Sequence, residues 1–266
     1  MPFDTAMTDE DIRRIAPSVF ATHPAPGVSD KYTFIPTYQV LRQLRLNGLE
    51  CFKVREGKKR APEGREFAIH ELRFRAPGYQ SFADGTRELG MLIPEVILRS
   101  SHDRTSGFSL VAGVMRLICL NGATVEDTAF KIAVRHLGRS TAAVVDGANT
   151  VAQHGTAVID KARAWSNILF DEPERVSFAE RAVEARGSAL KIDPRELLKP
   201  RRAFDAGSDL WTTFNVIQEN LTRGGQPGQR ADGHYVSVNR IRTLVADVSM
   251  NRKLWTAAED FAAAHA

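Results

Sequence analysis

The chain has 266 residues, 43% apolar and 26% charged, with 36 Lys and Arg against 32 Asp and Glu for a net charge of +4. That composition fits one large folded domain or two joined ones, and no apolar run approaches the length of a membrane span. The opening MPFDTAMTDEDIRR is acidic where a secretory leader is basic, and the two cysteines lie far apart, so buried thiols in a reducing cytoplasm are expected.

Thr8 to Asp11 precede Ile12, Ile15, Val19 and Phe20, which predicts a capped helix to about residue 21, broken near Pro17. Residues 23–27 (HPAPG) read as a turn and residues 32–35 as a short strand. Thr37 is the expected cap of a helix over 38–46, with Val40, Leu41 and Leu44 on one face and Asn47-Gly48 as its stop. Residues 49–55 and 66–75 alternate apolar and charged side chains. The basic, Gly- and Pro-containing loop between them makes the pair a twisted hairpin. Residues 77–90 form a connection with a turn at Asp84-Gly85.

The centre of the chain is residues 94–125, PEVILRSSHDRTSGFSLVAGVMRLICLNGATV. Two apolar runs flank the polar stretch 100–107, and Asn121-Gly122 supplies a turn dipeptide at the far end, a second antiparallel hairpin. Its second run is apolar on both parities and belongs in the middle of a sheet; a buried helix over 110–120 is the alternative. Beyond residue 125 the spacing becomes helical. Ser140 caps a run to residue 168, about 43 Å long at 1.5 Å per residue. Ser177 opens a capping box for a helix to 186, Asp193-Pro194 opens a short helix, and Ser208 or Asp209 caps 210–221. The Gly-rich stretch 223–233 reads as a disordered loop, and helices over 238–248 and 252–264 finish the chain.

This layout predicts an α+β fold: an antiparallel sheet with a basic β-hairpin and a central hairpin, packed against a long helix and followed by a helical C-terminal part. The expected divisions are 1–30, a helix and linker; 31–170, the α+β core; and 171–266, a helical part packed on that core.

Ser101-His102-Asp103 sits at the tip of the central hairpin, where loop residues are free to meet a ligand. Three consecutive residues cannot converge on one reacting atom as a triad does, so turn stabilisation by Ser101 or Asp103 is expected, with phosphate contact from Arg104 and Ser106. The seven histidines show no metal-ligand spacing, and no phosphate-cradling Gly motif is present. No catalytic residue, metal or cofactor is therefore expected.

Charge is unevenly spread. Residues 1–30 carry two Arg against five acids, residues 51–75 eight bases against four, and residues 223–253 six against two. Concentrated basic charge points to a polyanionic partner. Lys53, Arg55, Lys58, Lys59, Arg60, Arg65, Arg73 and Arg75 line the first hairpin, and parity puts Arg73 and Arg75 on a solvent face opposite Phe74. With Arg104, Arg240 and Arg242 they form the candidate nucleic-acid-binding set, and Tyr79, Phe82 and Tyr235 are the exposed aromatics a base could stack on. Asn215 and Glu219, four apart on one helix, read as a packing network in which Glu219 pairs an Arg.

The central run, with Ser101-His102-Asp103, Gly113, Arg116-Leu117, Cys119 and Asn121-Gly122, resembles the signature of the YfjQ/YafZ-like prophage and plasmid proteins, a family classed as a domain of unknown function. Leu210-Trp211, Phe214-Asn215 and Glu219-Asn220 match as well, with Phe214 where the family has Tyr, as do Asn251 to Trp255, Ala258-Glu259 and Phe261. The order of elements is also similar, at the level of fold, to phage single-strand annealing proteins of the RecT, Redβ and Erf type. What these resemblances and the charge imply is a non-enzymatic nucleic-acid-binding protein of a mobile element, binding or annealing single-stranded DNA as a homo-oligomer. The alternatives are a protein-interaction factor, anti-defence or regulatory, and an enzyme using the His102 loop.

Overall fold

Thr8 starts the first helix as its sequence predicts. Its hydroxyl accepts from the Asp11 amide at 3.2 Å and the Asp11 carboxylate reaches back to the Thr8 amide, so two orphan donors of the first turn are satisfied. The helix, α1, is Asp9–Ile15, and a 3-10 turn follows at Pro17–Phe20. The computed structural model describes residues 5–29, 32, 34–58, 62–119, 121–124, 131–134, 147–148 and 155–265. Helix α2, Thr37–Leu46, buries Val40, Leu41 and Leu44 and ends at Asn47, with Gly48 beyond it in the left-handed region at φ 83°. Thr37 is not its cap. Pro36 holds that place and the Thr37 hydroxyl points into the interior, while the expected strand over 32–35 is absent from the described residues there.

The chain divides into two compact units. The first comprises Met1–Thr86, Met91–Leu117 and Gly122–Val158; the second comprises Arg87–Gly90, Ile118–Asn121 and Ile159–Ala266. The first holds the main antiparallel sheet: β1 Glu50–Glu56, β2 His70–Arg75, β3 Leu92–Ser100, β4 Phe108–Arg116, β5 Asn121–Thr124 and β6 Lys131–Val134. They run in the order β1-β2-β3-β4-β5, with β6 also on β4. A short helix, α3 Tyr79–Asp84, connects β2 to β3. The central run is a strand, buried on both parities except at Ser109, which settles it against a helix. The turn before β5 falls at 117–119, so Asn121-Gly122 belongs to the strand.

Register assigns the faces. Val54, Leu72, Leu98 and Leu110 make one cross-strand row, and Cys51, Phe74, Val96 and Ala112 another, all buried on one side. These rows are the core, and removing that much apolar surface from water is the main term holding the sheet. The opposite side carries Arg55, Glu71 and Arg99 in one row and Lys53, Arg73 and Ile97 in the next. A bulge between Cys51 and Lys53 places one extra residue in β1 and resets its parity.

Strand β6 lies where helix was expected, because a four-residue segment, KIAV, carries no period that separates the two. Of the helix predicted over 140–168, residues 140–146 and 149–154 lie outside the described residues; residues 147–148 are helical and α4 is Gly155–Ser166.

The second unit is mainly helical. Helix α5, Glu172–Arg186, starts earlier than predicted because Asp171 and Glu174, rather than Ser177, form its capping box. Asp193 caps α6, Pro194–Leu197, and Asp209 caps α7, Leu210–Arg223, as expected. One helix, α8 Leu244–Ala264, replaces the two predicted at the end, capped by Thr243. A small sheet was not foreseen: β7 Lys191–Ile192, β8 Pro227–Gln229 and β9 Tyr235–Ser237 pair antiparallel, so the Gly-rich stretch is a built hairpin and not a disordered loop. An aromatic cluster forms this unit's core, with the Trp165 and Trp255 rings 4.5 Å apart and Trp211 stacked on Phe214 at 5.9 Å.

Candidate nucleic-acid interface

Antiparallel pairing fixes which loops meet. Glu56 pairs with His70, and His70 with Ser100, so the β1–β2 and β3–β4 loops emerge at the same end of the sheet. In the β3–β4 loop the Ser101 hydroxyl accepts from the Ser106 amide at 2.9 Å, and Asp103 accepts from the Thr105 amide at 3.0 Å and its hydroxyl at 2.6 Å. These are the turn-stabilising bonds expected of Ser101 and Asp103. Between them Arg104 is exposed at φ 66°, a left-handed conformation a non-glycine residue holds only when its surroundings impose it. The β1–β2 loop closes through the Gly57 amide to the Ile69 carbonyl at 2.7 Å. Lys58 is exposed beside that closure, and Arg65 is exposed while bonding Glu56 at 2.8 Å. Lys59 and Arg60 lie outside the described residues. The end of the sheet thus presents Lys58, Arg65 and Arg104 from two loops.

Beneath this end lies a polar knot. Ser101 and His102 are fully buried, so they do not stand free at the hairpin tip as the sequence suggested. The His102 amide bonds the Phe67 carbonyl at 3.1 Å, its own carbonyl accepts from the Ala25 amide at 2.9 Å, and its ring packs 4.9 Å from Phe34. The Thr37 hydroxyl lies 2.9 Å from His70 Nε2 and 3.4 Å from His102 Nε2. His70 Nδ1 faces the Ala68 carbonyl at 3.0 Å. A carbonyl only accepts, so Nδ1 carries the proton, Nε2 is the acceptor, and Thr37 donates to it. Burial, and then the neighbouring His102, push the His70 pKa down to about 3.

On the charged side of the sheet, parity placed residues correctly and misjudged their surroundings. Arg73 and Arg75 share a face, but they are only 3% and 2% exposed. Glu95 accepts from Arg73 at 3.1 Å and from Arg75 at 3.0 Å, and Glu71 accepts from Arg73 at 3.0 Å and Arg99 at 2.7 Å. Burial alone would raise the Glu71 pKa; Arg73 and Arg99 beside it outweigh that and hold it down at about 2. Arg55 reaches Glu71 at 3.7 Å from β1. Lys53 is half-buried, and desolvation, then the adjacent Arg73, lower its pKa to about 8. The sequence reading missed Glu71, Glu95 and Arg99. Its available signal was Glu95, a carboxylate set inside the otherwise apolar start of β3.

In the second unit Arg240 and Arg242 are both exposed in the segment after β9. Glu219 is buried and pairs with Arg202 at 2.6 Å and Arg223 at 3.0 Å, the Arg partner its helix position implied, while Asn215 bonds the Trp211 carbonyl one turn back. Of the three aromatics expected at the surface, Tyr79 is buried, Phe82 is half-buried and Tyr235 is 72% exposed. Among the described residues no group of three or more His, Cys, Asp or Glu could hold a metal ion, and no helix is long and apolar enough to cross a membrane.

Comparison with known proteins gives relatives of the same length class. The family described as "Domain of unknown function (DUF932)" matches residues 26–255. UPF0380 protein YfjQ of Escherichia coli (strain K12) is 33% identical over 258 residues, covering 96% of this chain and 92% of that protein. UPF0380 protein YafZ of the same organism is 33% identical over 258 residues with the same coverage. No solved structure matches the chain.

Proposed function

The chain belongs to this DUF932 family, whose description assigns no activity, and from that premise we propose that it binds single-stranded nucleic acid through the loop end of its main sheet. The observation that carries the reading is the shared end: Lys58, Arg65 and Arg104 come from two loops that register brings side by side, and the Arg104 loop is tied by its own hydrogen bonds. Cations displayed on a fixed scaffold suit a phosphate backbone, which offers charge at regular intervals and no demand for base contacts. Arg73 and Arg75, buried in the ion-pair network on one face of the sheet, do not themselves meet the strand. Annealing by an assembly of copies is the fuller form of this function.

The test is fluorescence anisotropy with a labelled oligothymidylate across a salt series. Lys58→Ala with Arg104→Ala should weaken binding and flatten the salt dependence by about 1.4 in log–log slope, close to 0.7 for each single-strand phosphate that is no longer neutralised. Unchanged affinity and slope remove this end from the interface. Absence of any salt-dependent binding by the wild type favours the protein-interaction alternative, and light scattering with a long strand decides whether copies assemble on it.

A further inference from the structure

The small sheet of the second unit has one buried and one open face. Ile192, Gly228 and Val236 pair in one row, with Ile192 only 4% exposed, and a Cβ on Gly228 would stand 2.9 Å from Val238 Cγ2 and 3.1 Å from Leu190, so this face is packed shut. The adjacent row is Lys191, Gln229 and Tyr235, and it faces outward: Lys191 is exposed and Tyr235 is 72% exposed on the edge strand. A tyrosine that open on a sheet surface gains little from folding, since its ring stays largely in water.

The hairpin carrying it is rigidly built. The Arg230 amide bonds the His234 carbonyl at 2.9 Å, the Gly233 amide bonds the Arg230 carbonyl at 3.0 Å, and Gln229 Nε2 reaches the Gly233 carbonyl at 3.2 Å. The strand continues into a segment pinned to the end of α7, with the Gly225 amide on the Val238 carbonyl at 2.8 Å and the Ile241 amide on the Thr222 carbonyl at 2.9 Å. Arg240 and Arg242 are exposed along that segment, and Arg230 is exposed at the hairpin. Of the carboxylates in these segments, Asp232 accepts from the His234 amide at 3.0 Å and Asp193 caps α6 through the Arg195 amide at 2.9 Å.

We propose that the open face of β7-β8-β9 is a second contact for single-stranded nucleic acid, in which Tyr235 stacks on a base and Lys191, Arg230, Arg240 and Arg242 meet the flanking phosphates. The class of partner, and with it stacking on a base, rests on the function proposed above; the surface and its residues are independent of it. An exposed aromatic ring with Lys191 in its cross-strand row and exposed arginines along the adjoining chain matches what a flexible single strand offers, a π-face on every base and a charge on every phosphate. Protein partners fit less well, because the exposed side chains of these segments include Lys191, Arg230, Arg240 and Arg242 and offer little apolar area to bury.

The test measures binding of an oligothymidylate, and of an abasic oligonucleotide of equal length, to the wild type, Tyr235→Ala, Tyr235→Trp and Lys58→Ala with Arg104→Ala. Tyr235→Ala should bind the oligothymidylate about tenfold more weakly, the loss of one stacked base, and Tyr235→Trp should retain affinity. On the abasic strand Tyr235→Ala should equal the wild type, whereas the loop variant should lose affinity on both strands. Unchanged oligothymidylate binding by Tyr235→Ala overturns this proposal while leaving the loop interface standing. An equal loss on both strands assigns Tyr235 a structural role and overturns stacking. If the wild type binds neither strand, both the proposed function and this occupant fail.

Discussion

The Thr37 hydroxyl and His70 Nε2, 2.9 Å apart, join the first turn of α2 to the first residue of β2 inside the protein. His102, brought in from the β3–β4 loop, has its ring 5.2 Å from that of His70. Protonation of His70 would make Nε2 a donor and reverse this bond, and burial, then the neighbouring His102, oppose placing that charge there.

The pH dependence follows from that. The unfolded His70 takes up a proton near its ordinary pKa of 6.5, while the folded one resists until about pH 3. Its contribution to stability is therefore complete above about pH 6.5 and falls as pH drops toward 3, with a limiting slope of about 1.4 kcal/mol per pH unit for one proton. Glu71 adds its own loss only below its ordinary pKa of 4.5. Urea unfolding between pH 7.5 and 5 isolates the histidine effect, and His70→Asn should reduce the slope in that window. An unaltered slope would assign the acid sensitivity elsewhere.

Glu95→Gln keeps the shape of the side chain and removes one of the two carboxylates that hold Arg73. Arg73 then keeps Glu71 of these two carboxylates, and a loss of about 3–5 kcal/mol is expected from urea denaturation. Added salt should not restore it, because ions do not reach a network this enclosed.

Glu219→Ala should lower the melting temperature, at a cost of about 2 kcal/mol, and leave oligonucleotide affinity unchanged. The figure is modest for a buried carboxylate because Arg202 and Arg223 are 23% and 48% exposed and regain water when released. A drop in affinity with an unchanged melt would make Glu219 part of the interface.

Both hairpins, the capped helices α1, α6 and α7, and the buried central strand were legible because each follows from spacing and caps within a dozen residues. The charged face was half legible. Alternation placed Arg73 and Arg75 on one side of β2, but alternation cannot tell a solvent face from one neutralised by Glu71 and Glu95. Strands β7 to β9, two or three residues each, are too short for any period. The Thr37–His70–His102 knot joins positions 33 and 65 residues apart, and only tertiary folding brings them together. Tyr235 was visible as an aromatic among arginines, yet its exposure depended on a sheet the sequence did not announce.

Glu71 accepts from Arg73 and Arg99, and Glu95 from Arg73 and Arg75, so five charged groups of β2 and β3 are linked through the shared Arg73. Any single replacement that removes one of these charges therefore leaves a buried partner with fewer counter-charges than it has now. Neutral drift through these positions is closed one step at a time. A lineage can exchange the network for an apolar face only by changing several strands' residues together, so the salt-bridged sheet face is a historical ratchet as much as a structural support.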